Sequence, residues 1–278
     1  MFKTPEYSKR LSMKLSQVFE DIGVNEKMVI KRRRAFMLIE SIETVSNGND
    51  CTTYYFGSQS EGTTTLELGS DVDTMIVYHT DNVIQELPEW RHNKNNFLMI
   101  QDENVTPGYC FLQLLRYDFP FPVTTIPNDE FFRDKNRRIL LKNTIRSGII
   151  RDNSERHGPS EALAGREGYI DTDLVRALPC FSWPKSASHF LEQGTRKWPF
   201  NEMIRYATSN GCFVVGASSK IAVHSNLEWR ISTSLAERCF MFNLNLTQLQ
   251  CYVLLKIILK TFLNTNKTNE LSSYMCTT

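Results

Sequence analysis

Charge of one sign is scarce in this sequence: 32 lysines and arginines stand against 31 aspartates and glutamates, a formal net charge of +1. A protein that held duplex nucleic acid mainly by neutralising phosphates would carry a larger basic excess, so any such contact has to be a local patch. Paired cysteines are missing as well. The seven cysteines (Cys51, Cys110, Cys180, Cys212, Cys239, Cys251, Cys276) are odd in number and scattered, with no Cys-x-x-Cys pair. Neither a disulfide framework nor a zinc site is suggested, and they read as reduced, mostly buried thiols of an intracellular protein. Long apolar runs are absent. The N-terminus, "MFKTPEYSKR", lacks the apolar core of a signal peptide. The most apolar stretch, "CYVLLKIILKTFL", is interrupted by Lys256 and Lys260 and is too short to span a bilayer. The expectation is a cytoplasmic protein without a membrane partner, in which the Asn-x-Thr sequons at Asn104, Asn245 and Asn266 arise by chance. Repeats and low-complexity tracts are also lacking.

What is present suffices for a large core. With 278 residues and 41% apolar side chains, the chain fits one large domain or two closely apposed lobes. Residues from Glu6 to about Ser46 read as two helices, or one long helix broken near Gly23. In the second, Met28, Ala35, Ile39 and Ile42 recur at helical spacing beside Val29 and Phe36, which predicts a buried stripe. "KRRR", Lys31 to Arg34, then reads as a solvated face opposite that stripe, with a phosphate-binding patch as the sharper alternative. "SNGND" ends the helix. From Tyr54 to about Leu115 the pattern is strand-like, with "TMIVY" as one strand and "FLMIQDENVTPGYCFLQLL" as a hairpin closed around Pro107-Gly108. The arginine-rich segment from about Arg146 to Gly168 reads as a loop. "YIDTDLVRAL" is a strand, and beyond Pro179 the pattern becomes mainly helical, with Trp183, Trp198 and Trp229 as packing anchors.

The chemistry concentrates in "YYFGSQSEGTTTLELGSDVDTMIVY". On a strand, alternate side chains share a face, so Asp71 and Asp73 project together, roughly 6.6 Å apart along the backbone. Two bare carboxylates brought to about 4 Å at an effective dielectric near 20 repel by roughly 4 kcal/mol. A proton, a partner cation or a metal has to offset that. Hard divalent ions prefer carboxylate oxygens, and a pair about 4 Å apart is the usual device for in-line phosphoryl displacement. A third carboxylate is needed from elsewhere. Asp173, in "DTDLVRAL", fits, with Asp171 as its rival on the same face. The Gly57-Ser58 turn complements the acids, because glycine admits a phosphate close to the backbone and the amides and hydroxyl donate to it.

The stretch "FGSQSEGTTTLELGSDVDTM" resembles the nucleotidyltransferase signature of the Mab-twenty-one domain proteins, the group that includes cyclic GMP–AMP synthase and its receptor-like relatives. "DLVRALPCFSWP", "GCFVVG", "EWRISTSLAE", "YVLLKIILK" and "LSSYMCTT" continue the likeness in order, and the wording is especially similar to invertebrate, molluscan-type forms. The resemblance implies an α+β chain: residues 1–178 as N-terminal helices and a nucleotidyltransferase-fold mixed-sheet lobe, and residues 179–278 as a helical C-terminal lobe that is truncated. It implies that Gly57 and Ser58 cradle a triphosphate and that Asp71, Asp73 and Asp173 hold two magnesium or manganese ions. Arg230 and Ser232 would contact phosphate or base, Lys256 a phosphate, and Ser273 and Tyr274 the donor nucleotide. Three departures stand out. The family's zinc insertion is missing, so no zinc is expected; Thr277 stands where a lysine is common; and the chain stops at Thr278. The activity implied joins two nucleoside triphosphates into a cyclic dinucleotide in innate immune sensing, with double-stranded RNA contacting Lys31, Arg32, Arg33 and Arg34 as activator. A non-catalytic binding protein and an RNA-tailing or oligonucleotide-forming enzyme are the alternatives.

Overall fold

The computed structural model describes residues 4–48, 50–65, 68–144, 155–163, 171–189 and 198–263. Two helices open the chain, α1 (Pro5–Asp21) and α2 (Glu26–Ser46). The break falls where Gly23 takes φ +80° and the Asn25 side chain accepts from the Met28 amide at 2.9 Å, capping α2. Strand β1 (Cys51–Phe56) then runs into the short helix α3 (Gly57–Glu61), and β2 (Val72–Tyr78) returns antiparallel to β1. The expected hairpin forms as β4 (Asn95–Ile100) and β5 (Tyr109–Leu114), preceded by β3 (Asp81–Ile84). β6 (Phe131–Arg133) and β7 (Ile139–Leu141) follow.

Strand β10 (Thr172–Cys180) organises the rest. Its first half lies parallel to β2 on one edge and antiparallel to β9 (Ser160–Leu163) on the other. Its second half pairs with β11 (Cys212–Val215), which follows helix α4 (Asn201–Asn210), and, through Cys180, with β3. β12 (Trp229–Ser232) joins β11 to β5, so β10, β11, β12, β5, β4 and β3 form a circuit that closes on itself. Alternate residues of that circuit point inward, and Phe97, Met99, Cys110, Leu112, Leu178, Cys180, Cys212, Val214 and Trp229 fill it. A second apolar layer, Met75, Val77, Ala177, Phe213, Val215 and Leu235, seats α5 (Ser234–Phe242) on the sheet beside β1 and β2. A third, Phe19, Val24 and Val253, ties α1 to α6 (Leu246–Ile258), which starts with a reciprocal Asn245–Gln248 capping box.

Several expectations need correction. The stripe on α2 is buried only in part: Val29 is buried and Met28 and Phe36 are half-buried, but Ala35 is exposed, as are Ile39 at 40% and Ile42 at 56%. The face turned to β1 is instead partly polar, because the Glu40 carboxylate accepts the Tyr55 amide at 2.7 Å and the Arg238 guanidinium. Helices do predominate among the described residues beyond Pro179, but β10 runs through to Cys180 and β11 and β12, which were not expected, join the same sheet. Periodicity missed β11 because it is short and apolar on both faces, which leaves no alternation to read, and β12 alternates but spans only four residues. The segment from Arg146 to Gly168 lies partly outside the described residues; its described part is a strand pair, β8 (Glu155–His157) and β9, docked on β10. Trp229 anchors the core, its indole N–H donating to the Leu141 carbonyl at 3.0 Å, whereas Trp198 is 40% exposed.

Candidate active site

The parallel pairing of β2 and β10 resolves which acid faces which. Asp73 lies opposite Asp173, and the Val72 amide donates to the Asp171 carbonyl at 2.9 Å, which sets Asp171 level with the exposed Asp71. Neighbouring strands are about 4.8 Å apart, so Asp73 and Asp173 project from one face at adjoining positions. Burial raises the Asp73 carboxyl to about 7, and the nearby charges of Asp71, Asp173 and Glu61 push in the same direction. Asp173, and not Asp171, is thus the acid whose charge Asp73 feels most after Asp71.

Gly57 closes the other side. It adopts φ +72°, and a Cβ placed on it would lie 1.8 Å from Oδ2 of Asp73. The Gly-Ser turn and the carboxylate are therefore in van der Waals contact, which only a residue without a side chain permits. In a Gly57→Ala variant the Asp73 carboxylate, as the more mobile partner, is expected to rotate away. Denaturant melts should then show a stability loss close to that of Gly48→Ala, where φ is +63° and nothing lies within 4 Å. That loss is about 1–2 kcal/mol of left-handed strain. The turnover the site supports should fall on the order of 10²-fold. Equal losses of both kinds in the two variants would disprove the contact's role.

From the opposite side comes Lys256 of α6. It is 8% exposed, its ammonium donates to the Ser58 hydroxyl and to the Thr63 carbonyl at 3.4 Å, and the Tyr252 ring lies 5.5 Å from it. Burial lowers its pKa, while the carboxylates of Glu61, Asp73 and Asp71 hold it up. Glu61 is a member of this cluster that motif reading missed. Burial raises its carboxyl, against the charges of Lys256 and Arg33. The signal was available in "GSQSEGT": an acid four residues after Gly57 shares a helix face with it.

The segment joining the Gly-Ser turn to Asp71 is cross-tied. Gln59 donates to the Ser70 carbonyl at 2.7 Å, the Thr64 and Ser70 hydroxyls are 2.8 Å apart, and Lys260 donates to the Leu68 carbonyl at 2.6 Å. Arg32 and Arg33 also serve the interior. Arg32 donates to the Thr64 carbonyl at 2.8 Å, and Arg33 donates to the carbonyls of Glu61, Met241 and Phe242, the last two at the C-terminal end of α5. Lys31 and Arg34 are exposed.

The structure thus gathers Gly57, Ser58, Asp71, Asp73, Asp173 and Lys256 around one end of β2 and β10. It sets Arg230 and Ser232 apart. Through β11, Arg230 is level with Ala177 and Ser232 with Pro179. At about 3.3 Å per residue they stand roughly 13 and 20 Å further along the strands than Asp173. Ser232 pairs with the Ser234 hydroxyl at 2.6 Å. Ser273 and Tyr274 lie outside the described residues. Hard, oxygen-only donors in a strained like-charge group fit a divalent cation by their chemistry. As the side chains stand, no three His, Cys, Asp or Glu side chains among the described residues converge enough to hold one, so closing a cage requires the aspartates to rotate.

No helix among the described residues is long and apolar enough to cross a membrane. No curated protein matches the chain. Residues 128–243 match the family model of the Mab-21 protein nucleotidyltransferase domain. The match takes in β10 with Asp173 and β12 with Arg230 and Ser232, and it begins after the Gly-Ser turn and the Asp-x-Asp pair. Residues 128–243 are thus similar to a Mab-21 nucleotidyltransferase domain, the family that the motifs on either side of them resemble.

Proposed function

We propose that the chain is a metal-dependent nucleotidyltransferase that joins two nucleoside triphosphates into a cyclic dinucleotide, as a cytosolic immune sensor of the cyclic GMP–AMP synthase-like kind. The observation that carries this reading is the register that sets Asp73 against Asp173, with Gly57 packed on the Asp73 carboxylate. Magnesium or manganese ions held by Asp71, Asp73 and Asp173 would supply neutralisation of the attacking and leaving oxygens. The amides of the Gly57-Ser58 turn and the Ser58 hydroxyl hold the triphosphate. Lys256 takes a phosphate oxygen, and Asp173 accepts the proton of the attacking sugar hydroxyl. That oxygen bonds to the α-phosphorus of the donor, the bond to the β-phosphate breaks, and pyrophosphate departs. A second round closes the ring. Arg230 and Ser232 contact the far end of a nucleotide, and Ser273 and Tyr274 hold the donor, the tyrosine ring stacking on a base.

A double-stranded RNA activator would meet α2 through Lys31 and Arg34, the exposed pair of the basic run. Two phosphate contacts give a shallow salt dependence, a slope near −2 in log affinity against log salt. A non-catalytic binding role is the second reading. Incubation with labelled triphosphates and magnesium or manganese, with and without double-stranded RNA or DNA, decides between these readings. A cyclic dimer on chromatography is expected. A linear ladder would mean RNA tailing or oligonucleotide synthesis. No product under any activator, with nucleotide binding intact in Asp73→Ala, would mean a binding protein.

A further inference from the structure

Lys256 is the cation that acts on Asp73, and it reaches the acids from α6 while resting on Ser58, the hydroxyl assigned above to the triphosphate. Three facts make this a built arrangement. The ammonium is buried, at 8% exposure. Its donors are spent on Ser58 and on Thr63, residues at the two ends of α3. Its charge faces Glu61, Asp73 and Asp71 together. On both sides of it stand groups that would otherwise attract a free divalent ion. The remaining charges around Glu61 are Arg33 and Glu237, and Arg33 is committed to backbone carbonyls.

We propose that Lys256 is a resident counter-cation that keeps divalent ions off the aspartates until a triphosphate arrives, so that metal and nucleotide enter together. This rests on the metal-site reading given above. A divalent ion approaching Asp71, Asp73 and Asp173 is opposed by the fixed ammonium, and that opposition acts on two charges. The triphosphate removes it by supplying anionic oxygens to which Lys256 can transfer from Ser58. Metal and nucleotide then each strengthen the other's binding, and the coupling is reciprocal. A residue that served only to bind phosphate would leave the affinity for metal alone unchanged, and one that served only to hold the fold would lower it on removal.

The test is manganese binding without nucleotide, followed by electron paramagnetic resonance on wild type, Lys256→Met, Lys256→Gln and Lys256→Arg. Protons compete for the same carboxylates, but a divalent ion gains twice what a proton gains when the ammonium is removed, so the apparent affinity still rises. At least tenfold tighter binding is expected in Lys256→Met and Lys256→Gln, and wild-type weakness in Lys256→Arg. The enhancement of manganese binding by a non-hydrolysable triphosphate should shrink in the first two. Folded Lys256→Met or Lys256→Gln protein that binds manganese no more tightly than wild type overturns the proposal. Failure of the metal-site reading looks different: the tighter binding would survive addition of Asp73→Asn, or wild type would show no Asp73-dependent manganese uptake even with the triphosphate present.

Discussion

Asp73→Asn is expected to lower turnover at least about 10³-fold while making the metal-free protein more stable at alkaline pH. The two effects have one cause. The folded protein holds the Asp73 carboxyl at about 7 against an ordinary value of 3.8, first through burial and then through the charges of Asp71, Asp173 and Glu61. Between those values the native state keeps a proton that the unfolded chain has released. The stability linked to that proton is complete below the unfolded value and is lost as pH rises through the folded one. A shift of this size corresponds to roughly 3 kcal/mol once partial exposure is discounted. Urea melts in a chelator at pH 5 and pH 8 give the comparison. Wild type should lose stability between the two, and Asp73→Asn should lose less by roughly 2 kcal/mol, the part of the shift that lies above pH 5. Parallel curves for the two proteins would mean that Asp73 is not held among like charges in a dry site.

The largest expected loss of stability follows from Arg238→Ala. Arg238 and Glu40 are each 6% exposed, and their ion pair joins α5 to α2 across the end of β1. The guanidinium also donates to the Tyr55 carbonyl at 3.1 Å and lies over the Phe56 and Tyr54 rings, 5.0 and 5.7 Å from their centroids. Removing it leaves a carboxylate that burial already pushes up, with only the Tyr55 amide for company. Breaking a buried pair from one side costs about 3–5 kcal/mol. For a chain of this size that lowers Tm by roughly 8–15 °C. Replacing both partners, as Glu40→Met with Arg238→Met, should recover a large part of the loss, because no charge is then stranded. A loss in Arg238→Ala no greater than that of a surface arginine would show that the pair does not bind α2 to α5. Because β1 leads directly into Gly57, the same variant should also reduce turnover.

Much of the site is legible in the sequence, and the reason is physical. The Gly-Ser turn follows a strand, Asp-x-Asp and the later Asp-x-Asp each head an apolar strand, and strand periodicity alone assigns Asp71 and Asp73 to one face. Which of Asp171 and Asp173 lies opposite Asp73 was not legible. It depends on the register of two parallel strands separated by about a hundred residues, which no local pattern encodes. The basic run shows the converse limit. Spacing puts Arg32 and Arg33 on a helix surface, but only the tertiary fold shows that the surface meets the backbone carbonyls of α3, its following turn and α5. The burial of Glu40 has no local signal for the same reason, because its partner Arg238 comes from a distant helix. The closed circuit of β10, β11, β12, β5, β4 and β3 was likewise invisible, since its closure depends on pairings between strands distant in the chain and β11 is apolar on both faces.

A crystal of the protein soaked with manganese and a non-hydrolysable triphosphate, measured for anomalous scattering, addresses the central claim most directly. The account predicts anomalous density between the Asp73 and Asp173 carboxylates, with Asp71 rotated toward it and the Lys256 ammonium moved from Ser58 to a phosphate oxygen. Nucleotide seated on the Gly57-Ser58 turn with no anomalous signal at these aspartates would contradict it.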